Sequence, residues 1–371
     1  MFFDDNLLLI HSIFKDKIRL VGGSVRNFIL KQKIVDYDLS CLLSPEEIKN
    51  KLIKYNVKYL TIGEKYGTIT AVINSKNYEI TSARVDVKTD GRRAEVEYID
   101  NFESDSQRRD FTFNSLYMDF KGNIYDYHNG ITDIRKGIVR FVGNAEDRIK
   151  EDYLRILRFF RFFAYYGFIL DNKGFEAVIK LKNNLNKISR ERIKDEIFKI
   201  FNARYPIKAL RIMDKLNILN GDYKNLEFFY SYKPFLLNYN LSTTMALSLF
   251  INELPQNIRI SNNEKKEIQN YLKIKKLNYL DDIKKKILLF EYKNPDLLMF
   301  NCFMHNKNVF ETINFIEKTK IPVLPINGND LKCYEGKTIG SLLNRAKEIF
   351  ISHNFKISKD ELLKEIQKTN Q

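Results

Sequence analysis

Two acidic residues separated by a single position are the first feature of this sequence that could do chemistry. Asp36 and Asp38 lie in a short run that predicts a strand over Ile34–Leu39. Because alternate residues of a strand share a face, the two carboxylates would project side by side and repel each other unless a cation lies between them. Such oxygen ligands suit Mg²⁺, and two such ions would activate an attacking hydroxyl and stabilise a leaving pyrophosphate. The alternative is a solvated edge strand that carries two acids.

A glycine turn precedes these acids in the chain. A strand predicted over Ile18–Val21 ends at Gly22 and Gly23, and a helix predicted over Val25–Leu30 follows. This geometry aims backbone N–H groups and a positive helix end at the space beyond the turn, where a phosphate fits. Arg26 would neutralise a further phosphate oxygen. The alternative is a tight turn without a ligand, but the acid pair that follows favours a phosphate site.

Two adjacent arginines form another candidate phosphate site. Arg108 and Arg109 stand beside a run of alternating apolar residues, which predicts a strand, and two guanidinium groups can clamp a triphosphate. Asp110 would pin one of the guanidinium groups in place. The alternative is a cluster of surface ion pairs.

A predicted helix carries the fourth group of charged residues. Arg155 lies four positions after Glu151 and three after Asp152, so the three side chains would share one helix face. A carboxylate beside a guanidinium complements the base edges of cytosine and adenine, whereas guanine and uracil present a carbonyl that the carboxylate would repel. Two further arginines follow at steps of three residues, Arg158 and Arg161. The alternative is an ordinary amphipathic helix with ion pairs on its surface.

The elements that must position these residues differ along the chain. Short β-type runs recur from about residue 18 to residue 142 with helical patterns between them, and helical periodicity dominates from residue 144 onward. The predicted fold is therefore an α+β N-terminal head, with a mixed sheet and helices, followed by an all-α neck, body and tail. The other predicted strands and the clearest predicted helices are Thr68–Ile73, Tyr78–Thr81, Ala94–Tyr98, Ser115–Phe120, Pro45–Lys54, Asp147–Tyr166 and Arg190–Phe201.

The composition favours a polyanionic partner. The chain has 371 residues, enough for two or three domains at about 150 residues each. Its 62 Lys and Arg against 47 Asp and Glu give a net charge of +15, which favours nucleic acid. A compositional habit of the source genome is the alternative explanation for this excess. The Lys-rich segment Lys265–Lys286 is predicted to be a solvated helix face, with an RNA-backbone contact as its alternative.

Several other classes of protein are disfavoured. The three cysteines lie far apart and the four histidines are scattered, which argues against a disulfide framework, a thiolate zinc site and a histidine-rich hydrolase centre. The first residues lack the basic start of a signal peptide. The longest uncharged stretch, Pro234–Asn252, is interrupted by polar residues, so no membrane span is predicted. These features predict a cytoplasmic protein.

Together and in this order, the four groups resemble the class II tRNA nucleotidyltransferases, the CCA-adding enzymes. That family shares its head with bacterial poly(A) polymerases and belongs to the polymerase-β-like superfamily. The resemblance extends from about residue 18 to about residue 196, roughly half of the chain. The motifs that carry it are Gly22–Arg26, Asp36–Asp38, Asp90–Arg93, Arg108–Asn114, Arg140–Gly143, Glu151–Arg155 and Ile188–Arg192.

At the phosphate end of the nucleotide, the resemblance implies a role for five residues. Asp36 and Asp38 would hold the catalytic Mg²⁺ ions. Gly23, Arg26 and Arg109 would hold the triphosphate.

At the base end, the resemblance implies that Asp152 and Arg155 read the base edge and that Glu151 orients them. The segment Arg84–Arg93 would be a flexible loop that helps the pocket move from CTP to ATP. Two further residues would complete the nucleotide pocket, Arg158 and Arg161.

The implied activity is the template-independent addition of C, C and A to the 3′ end of tRNA from CTP and ATP. The implied domains are a catalytic head (1–143), a neck that reads the base (144–201), and a body and tail that bind tRNA (202–371). The alternatives are a relative that adds only CC, only A or a poly(A) tail, an inactive RNA-binding module, and a DxD-type glycosyltransferase. The chain departs from the family at Asn27, where Asp is usual, and at Val85, where a basic residue is common.

Overall fold

The computed structural model describes residues 3–34, 36–90, 93–167, 169–219, 221, 224–235, 241–253, 258–332, 334 and 337–368, with the backbone alone for 86–90, 93–95, 224, 235 and 337. Contacts between Cα atoms group the chain into two compact units. The first is Met1–Leu219 with Asn257–Arg259, and the second is Asn220–Gln256 with Ile260–Gln371. The finer division into head, neck and body stays a prediction.

A mixed sheet forms the centre of the N-terminal part. The strands of the first unit are β1 (Ile18–Val21), β2 (Tyr37–Cys41), β3 (Lys58–Leu60), β4 (Thr68–Ile73), β5 (Lys76–Ser82), β6 (Arg84–Asp90), β7 (Arg93–Tyr98), β8 (Tyr117–Met118), β9 (Ile124–Tyr125), β10 (Ile138–Val139) and β11 (Ile169–Leu170). Across the described residues, seven of them pair in the order β3-β4-β5-β2-β1-β8-β9. Strands β2 and β5 run parallel, and the other neighbours are antiparallel. This arrangement confirms the predicted fold class for the head.

Helices cover this sheet and follow it in the chain. They are α1 (Asp5–Phe14), α2 (Gly23–Ile29), α3 (Pro45–Lys54), α4 (Phe102–Gln107), α5 (Gly130–Lys136), α6 (Ala145–Glu151), α7 (Arg155–Tyr165), α8 (Asn172–Leu181), α9 (Arg190–Phe201) and α10 (Pro206–Lys215). Apolar residues of α1 and α3, such as Leu7 and Ile48, are fully buried against Leu39 and other sheet residues. Because burying each such side chain contributes about 1.5–3 kcal/mol, this shared core fixes the sheet on which the site is built.

The start of β2 differs from the prediction. The predicted strand over Ile34–Leu39 begins only at Tyr37 in the structure, and Asp36 lies in a bend before it. Val35 lies outside the described residues. The two acids therefore do not share the face of one strand, and another contact must set their relation.

The predicted helix Asp147–Tyr166 is wrong in one respect, because it is interrupted. Helix α6 ends at Glu151, and α7 begins at Arg155. Asp152 between them has an extended backbone, with φ −154° and ψ 104°. Its carboxylate accepts a hydrogen bond from the backbone N–H of Leu154 at 3.1 Å, and such a local bond competes with continuation of the helix.

An aromatic cluster fixes helix α7 against the segment that carries the adjacent arginines. The ring of Phe111 lies 4.8 Å from Phe141, and Phe141 stacks on Phe159 of α7 at 5.3 Å between centroids. These three rings are almost completely buried. Offset and tilted ring pairs of this kind add about 0.5–1.5 kcal/mol beyond their burial, so α7 is held in a fixed position relative to residues 108–114.

Strands β6 and β7 pair antiparallel as a hairpin, and they contain the described residues of the segment Arg84–Arg93, which was predicted to be a flexible loop. The pairing shifts register between Asp86 and Lys88. Residues 91 and 92 lie outside the described part of the chain, so the predicted role of the segment stays a prediction.

The regular secondary structure described in the second unit is helical. The α-helices are α11 (Lys224–Tyr232), α12 (Thr243–Phe250), α13 (Asn262–Lys275), α14 (Asp282–Tyr292), α15 (Asp296–Met304), α16 (Val309–Lys318), α17 (Lys337–Ser352) and α18 (Lys359–Lys368). The Lys-rich segment is divided between α13 and α14. One of its members is structural, because the Lys275 ammonium donates to backbone carbonyls at and after the end of α12, including that of Ile251 at 2.7 Å. Among the helices described, none has the length and apolar character needed to cross a bilayer.

Candidate active site

A cavity of about 890 Å³ opens in the first unit beside the glycine turn. Among the described side chains that line it, eight are cationic and four are carboxylates, so a polyanion would be attracted to it. All nine residues predicted as site residues line this one cavity. They are Gly23, Arg26, Asp36, Asp38, Arg109, Asp152, Arg155, Arg158 and Arg161.

The glycine turn forms one wall of the cavity. Gly22 has a φ of +64°, a left-handed conformation that favours glycine, and helix α2 starts at the next residue. The Arg26 guanidinium is placed by two amides, since it donates to Oδ1 of Asn114 at 2.6 Å and to Oδ1 of Asn27 at 3.1 Å. Burial lowers the pKa of Arg26. The departure at Asn27 therefore keeps an acceptor for the arginine that the sequence assigns to a phosphate.

One buried hydroxyl joins the two acids. Ser24 accepts a hydrogen bond from the backbone N–H of Asp38 at 2.9 Å and donates to the backbone carbonyl of Asp36 at 3.2 Å. The side chain of Asp36 is exposed, whereas Asp38 is half-buried. The hydroxyl of Ser24, which the sequence placed only within a phosphate-type turn, thus fixes the backbones of the two acids relative to each other.

The environment of Asp38 favours a cation. Burial raises the pKa of its carboxyl, and the neighbouring charges of Glu79 and Asp36 add to this, against the opposing effect of Arg109 and Arg26. A cation between the two acids would reverse this unfavourable balance. Within the described part of the chain, no group of three or more acidic, histidine or cysteine side chains is placed to hold a metal. The pair fits an ion that takes its other oxygens from water and a substrate phosphate.

The adjacent arginines are held by a residue that the sequence prediction missed. Asp105 of α4, and not Asp110, pairs with both of them, at 2.7 Å from Arg108 and 3.0 Å from Arg109. Burial alone would raise the pKa of Asp105, but Arg109 and Arg108 outweigh it and hold the pKa well below its usual range. The i, i+3 and i, i+4 spacing from Asp105 was a signal that could have revealed these pairs.

Asp110 has a different partner from the one predicted. The residues after it form a 3₁₀ turn over Thr112–Asn114 instead of a strand, and this directs the Asp110 carboxylate toward α7. There it accepts from Arg158, with Nε at 2.8 Å. Burial would raise the pKa of Asp110, but Arg158 and Arg155 lower it far below its usual range.

The base-end residues meet across the interruption between α6 and α7. Arg155 donates to Glu151 at 2.5 Å, as its spacing predicted, and also to the backbone carbonyls of Arg148 and Arg108 at 2.7 and 3.2 Å. Asp152 does not share a helix face with them. Its Oδ2 instead accepts from Arg192 of α9 at 2.7 Å, so a third element fixes its position.

An aromatic ring lies among the arginines of α7, and the sequence prediction did not identify it. The guanidinium carbons of Arg161, Arg26 and Arg158 lie 4.4, 5.5 and 5.6 Å from the ring centre of Phe162. Arg161 also pairs with the buried Glu196 of α9 at 2.9 Å. Cation–π contacts of this kind keep the guanidinium groups ordered while leaving N–H donors available.

Comparisons with known proteins give the class and the family. Residues 18–140 match the family model "Poly A polymerase head domain", and residues 167–227 match "Probable RNA and SrmB- binding site of polymerase A". The fold resembles that of a Bacillus stearothermophilus CCA-adding enzyme in complex with CTP, with a TM-score of 0.77, 21% identity, and coverage of 99% of this chain and 98% of that chain. The head and its paired acids thus define a nucleotidyltransferase.

Curated relatives extend over most of the chain. The mouse mitochondrial CCA tRNA nucleotidyltransferase 1 is 32% identical over 384 residues, covering 95% of this chain and 87% of the relative. The CCA-adding enzyme of Staphylococcus saprophyticus is 31% identical over 319 residues, covering 81% and 73%. The chain therefore belongs to the poly(A) polymerase/tRNA nucleotidyltransferase family, as its motifs predicted. Nucleotidyltransferases of this family generally use divalent metal ions.

Proposed function

We propose that this chain adds C, C and A to the 3′ end of tRNA from CTP and ATP, without a nucleic-acid template and with release of pyrophosphate. One observation carries the proposal: a single cavity is lined by two acids, a glycine turn, a set of arginines, and both Asp152 and Arg155. The names of the mouse and staphylococcal relatives support the same activity. The reaction is attack of the tRNA 3′ hydroxyl on the α-phosphate of the bound nucleotide.

The triphosphate is proposed to lie against the glycine turn. Nη1 of Arg109 and Nη2 of Arg26 lie 3.7 and 3.5 Å from the positions that Cβ atoms would occupy at Gly22 and Gly23. Both guanidinium groups therefore flank the bare backbone of the turn. Because Arg109 is anchored through its Nε and Nη2, its Nη1 remains directed at the same region. Two fixed cations on one side of the turn bind a triphosphate without a large loss of side-chain entropy.

Asp36 and Asp38 are proposed to hold Mg²⁺. A bound ion of this kind lowers the pKa of the attacking hydroxyl and neutralises charge on the leaving pyrophosphate. The contribution of the chain itself is to join the backbones of Asp36 and Asp38 through the Ser24 hydroxyl and to keep Asp38 half-buried beside Arg26. Burial and the charges of Glu79 and Asp36 raise the pKa of Asp38, and a cation bound between the two acids would stabilise its charged form.

The base is proposed to be read by Asp152 and Arg155. A guanidinium has five N–H donors, and Arg155 uses three of them in its bonds to Glu151, Arg148 and Arg108. The Asp152 carboxylate accepts from Leu154 and Arg192 and keeps further acceptor sites. Asp152 can therefore supply an acceptor and Arg155 donors to the same cavity, a combination that suits cytosine and adenine. Arg158 and Arg161 complete the pocket.

The remaining predictions belong to the same proposal. Residues 1–143 are the catalytic head, 144–201 the neck and 202–371 the tRNA-binding body and tail. The net charge of +15 supports binding to the phosphates of tRNA. The name of the mouse relative includes "mitochondrial", whereas we propose a cytoplasmic location for this chain, as its sequence predicts.

The direct test is incubation of the full chain with tRNA that lacks its 3′ end, Mg²⁺ and each nucleotide alone or combined, followed by sequencing of the product ends. We expect CC from CTP alone and CCA from CTP with ATP. Asp38→Asn should abolish addition while leaving tRNA affinity nearly unchanged, and Glu103→Gln, an exposed residue of α4, is the matched control. Products ending only in CC, in A alone or in a poly(A) tail would replace this function by the restricted alternatives.

A further inference from the structure

We propose that Asp105 is a positioning residue that couples the triphosphate site at Arg109 to the hairpin β6–β7. The proposal deepens the function proposed above, because it depends on a triphosphate bound at Arg109. Its basis is that the two oxygens of this one carboxylate serve two different parts of the molecule.

One oxygen of Asp105 faces the triphosphate site. Its Oδ2 accepts from Nη2 of Arg109 at 3.0 Å, from the Tyr117 hydroxyl at 2.6 Å and from the Ser40 hydroxyl at 3.1 Å. The Tyr117 hydroxyl in turn accepts from Nε of Arg109 at 2.9 Å. Carboxylate and phenol thus hold one edge of the guanidinium and leave the opposite edge for an anion.

The other oxygen faces the base of the hairpin. Its Oδ1 accepts from the backbone N–H of Arg84, the first residue of β6, at 3.2 Å and from Nε of Arg108 at 2.8 Å. Nε of Arg108 also lies 3.0 Å from the backbone carbonyl of Arg84. At the other side of the hairpin base, the N–H of Ile99 donates to the carbonyl of Ala83 at 3.0 Å. The first residue of the hairpin is therefore bound to Asp105 both directly and through Arg108.

The burial of Asp105 makes these two sets of bonds interdependent. The residue is completely buried, so the positive charge around its carboxylate comes from Arg108 and Arg109. A triphosphate at Arg109 draws on the same guanidinium charge that Asp105 uses. The negative charge of Asp105 is then stabilised more by its bonds from Arg108 and from the Arg84 N–H, because charged groups in a dry interior interact strongly. Binding of triphosphate should therefore tighten the hairpin base.

The same network reaches the base end of the cavity. The backbone carbonyl of Arg108 accepts from Nη2 of Arg155 at 3.2 Å. A change in the position of Arg108 therefore also changes a contact of the arginine proposed to read the base.

Amide hydrogen exchange of the full chain tests the coupling. The probe is inorganic tripolyphosphate, which carries the phosphates of a nucleotide without its base, and CTP is measured in parallel. In the unmodified protein we expect saturating tripolyphosphate to slow exchange at the amides of Arg84 and Ile99 about threefold or more, as for any bond tightened in the bound state. In Asp105→Asn, these amides should exchange at the same rate with and without tripolyphosphate, whereas Glu103→Gln should respond like the unmodified protein.

A second variant keeps the test decisive if Asp105→Asn does not fold. Tyr117→Phe retains the ring and removes the hydroxyl that bonds both Arg109 and Asp105, so the response to tripolyphosphate should be reduced. Calorimetry on the same samples measures binding itself. The coupling would be overturned if tripolyphosphate bound without changing exchange at the hairpin base. It would also be overturned if Asp105→Asn or Tyr117→Phe responded like the unmodified protein. Either result would leave the proposed function intact. If neither tripolyphosphate nor CTP binds, both proposals fail.

Discussion

Replacing Arg155 should change which nucleotides are accepted and not only how fast they react. In Arg155→Ala the guanidinium donors that would pair with the N3 of cytosine or N1 of adenine are removed, while the Asp152 carboxylate stays anchored by Arg192. Discrimination against bases that lack the matching edge should then weaken. Arg155→Lys keeps the charge but loses the planar fork, so it should fall between the unmodified protein and the alanine variant.

The size of the effect follows from the N–H donors that the alanine substitution removes. Arg155 has two N–H donors beyond the three that bond to Glu151, Arg148 and Arg108. A bidentate contact to a base edge is worth about 1–3 kcal/mol of discrimination, which corresponds to roughly 5- to 150-fold. We therefore expect the ratio of kcat/KM for CTP over UTP to fall by a factor in this range.

The assay is single-nucleotide addition to tRNA that lacks its 3′ end, with kcat/KM measured for CTP, ATP, UTP and GTP. Arg155 is also a structural residue, since its side chain is only 14% exposed and holds two carbonyls. A purely structural role would lower all four values by the same factor. Four parallel losses with unchanged ratios would show that the base is read elsewhere.

Three further predictions concern Ser24, Gly22 and the two buried aspartates. Ser24→Ala should weaken Mn²⁺ binding, measured by electron paramagnetic resonance, by about 10-fold or more, because it removes the hydroxyl that joins the backbones of Asp36 and Asp38. Ser24→Thr should retain affinity, and equal affinity in all three proteins would contradict the assigned role. Gly22→Ala should lower the free energy of unfolding in urea by about 1–2 kcal/mol, because Gly22 has a φ of +64°. The new Cβ itself would have space, since the nearest atom would lie 3.6 Å away. A loss no larger than that of Gly23→Ala would show that the turn is not strained. Asp105 and Asp110 have lowered pKa values in the folded protein, so their charged forms stabilise the fold above the ordinary aspartate pKa of about 3.9, and this stabilisation is lost as the pH falls below it. The free energy of unfolding in urea should therefore decline between pH 7 and 3. An equally steep decline in Asp110→Asn would contradict the contribution of Asp110.

The sequence predicted the composition of the cavity well, because the relevant side chains come from motifs with a fixed local geometry. Strand β1 and the glycine turn follow short-range rules, whereas the acid pair lies in the cavity although its predicted strand begins only at Tyr37. Helix α3 also has its predicted bounds, since Pro45 starts it and the Ser44–Glu47 capping box closes its N-terminus. The roles assigned to these site residues stay predictions until they are measured.

Two of the errors concern side chains that bond outside their own element. The residues around Asp152 predict one continuous helix. In the structure, however, the Asp152 side chain bonds the N–H of Leu154 where the helix is interrupted, and Arg192 of α9 bonds its other oxygen. The sequence predicts that Asp110 bonds one of the two adjacent arginines, but the 3₁₀ turn that follows directs it to Arg158. Neither contact is encoded in local spacing. Both depend on tertiary packing, which overrides local preference.

The interruption between α6 and α7 has a consequence for how substrate choice can evolve. The proposed acceptor and the proposed donor are held by different helices, since Asp152 bonds to Arg192 of α9 and Arg155 bonds to Glu151 of α6. Their separation is therefore adjustable by substitutions in the packing between these helices, remote from any bound nucleotide. Nucleotide specificity could then change during evolution while every residue proposed to contact the nucleotide stayed the same.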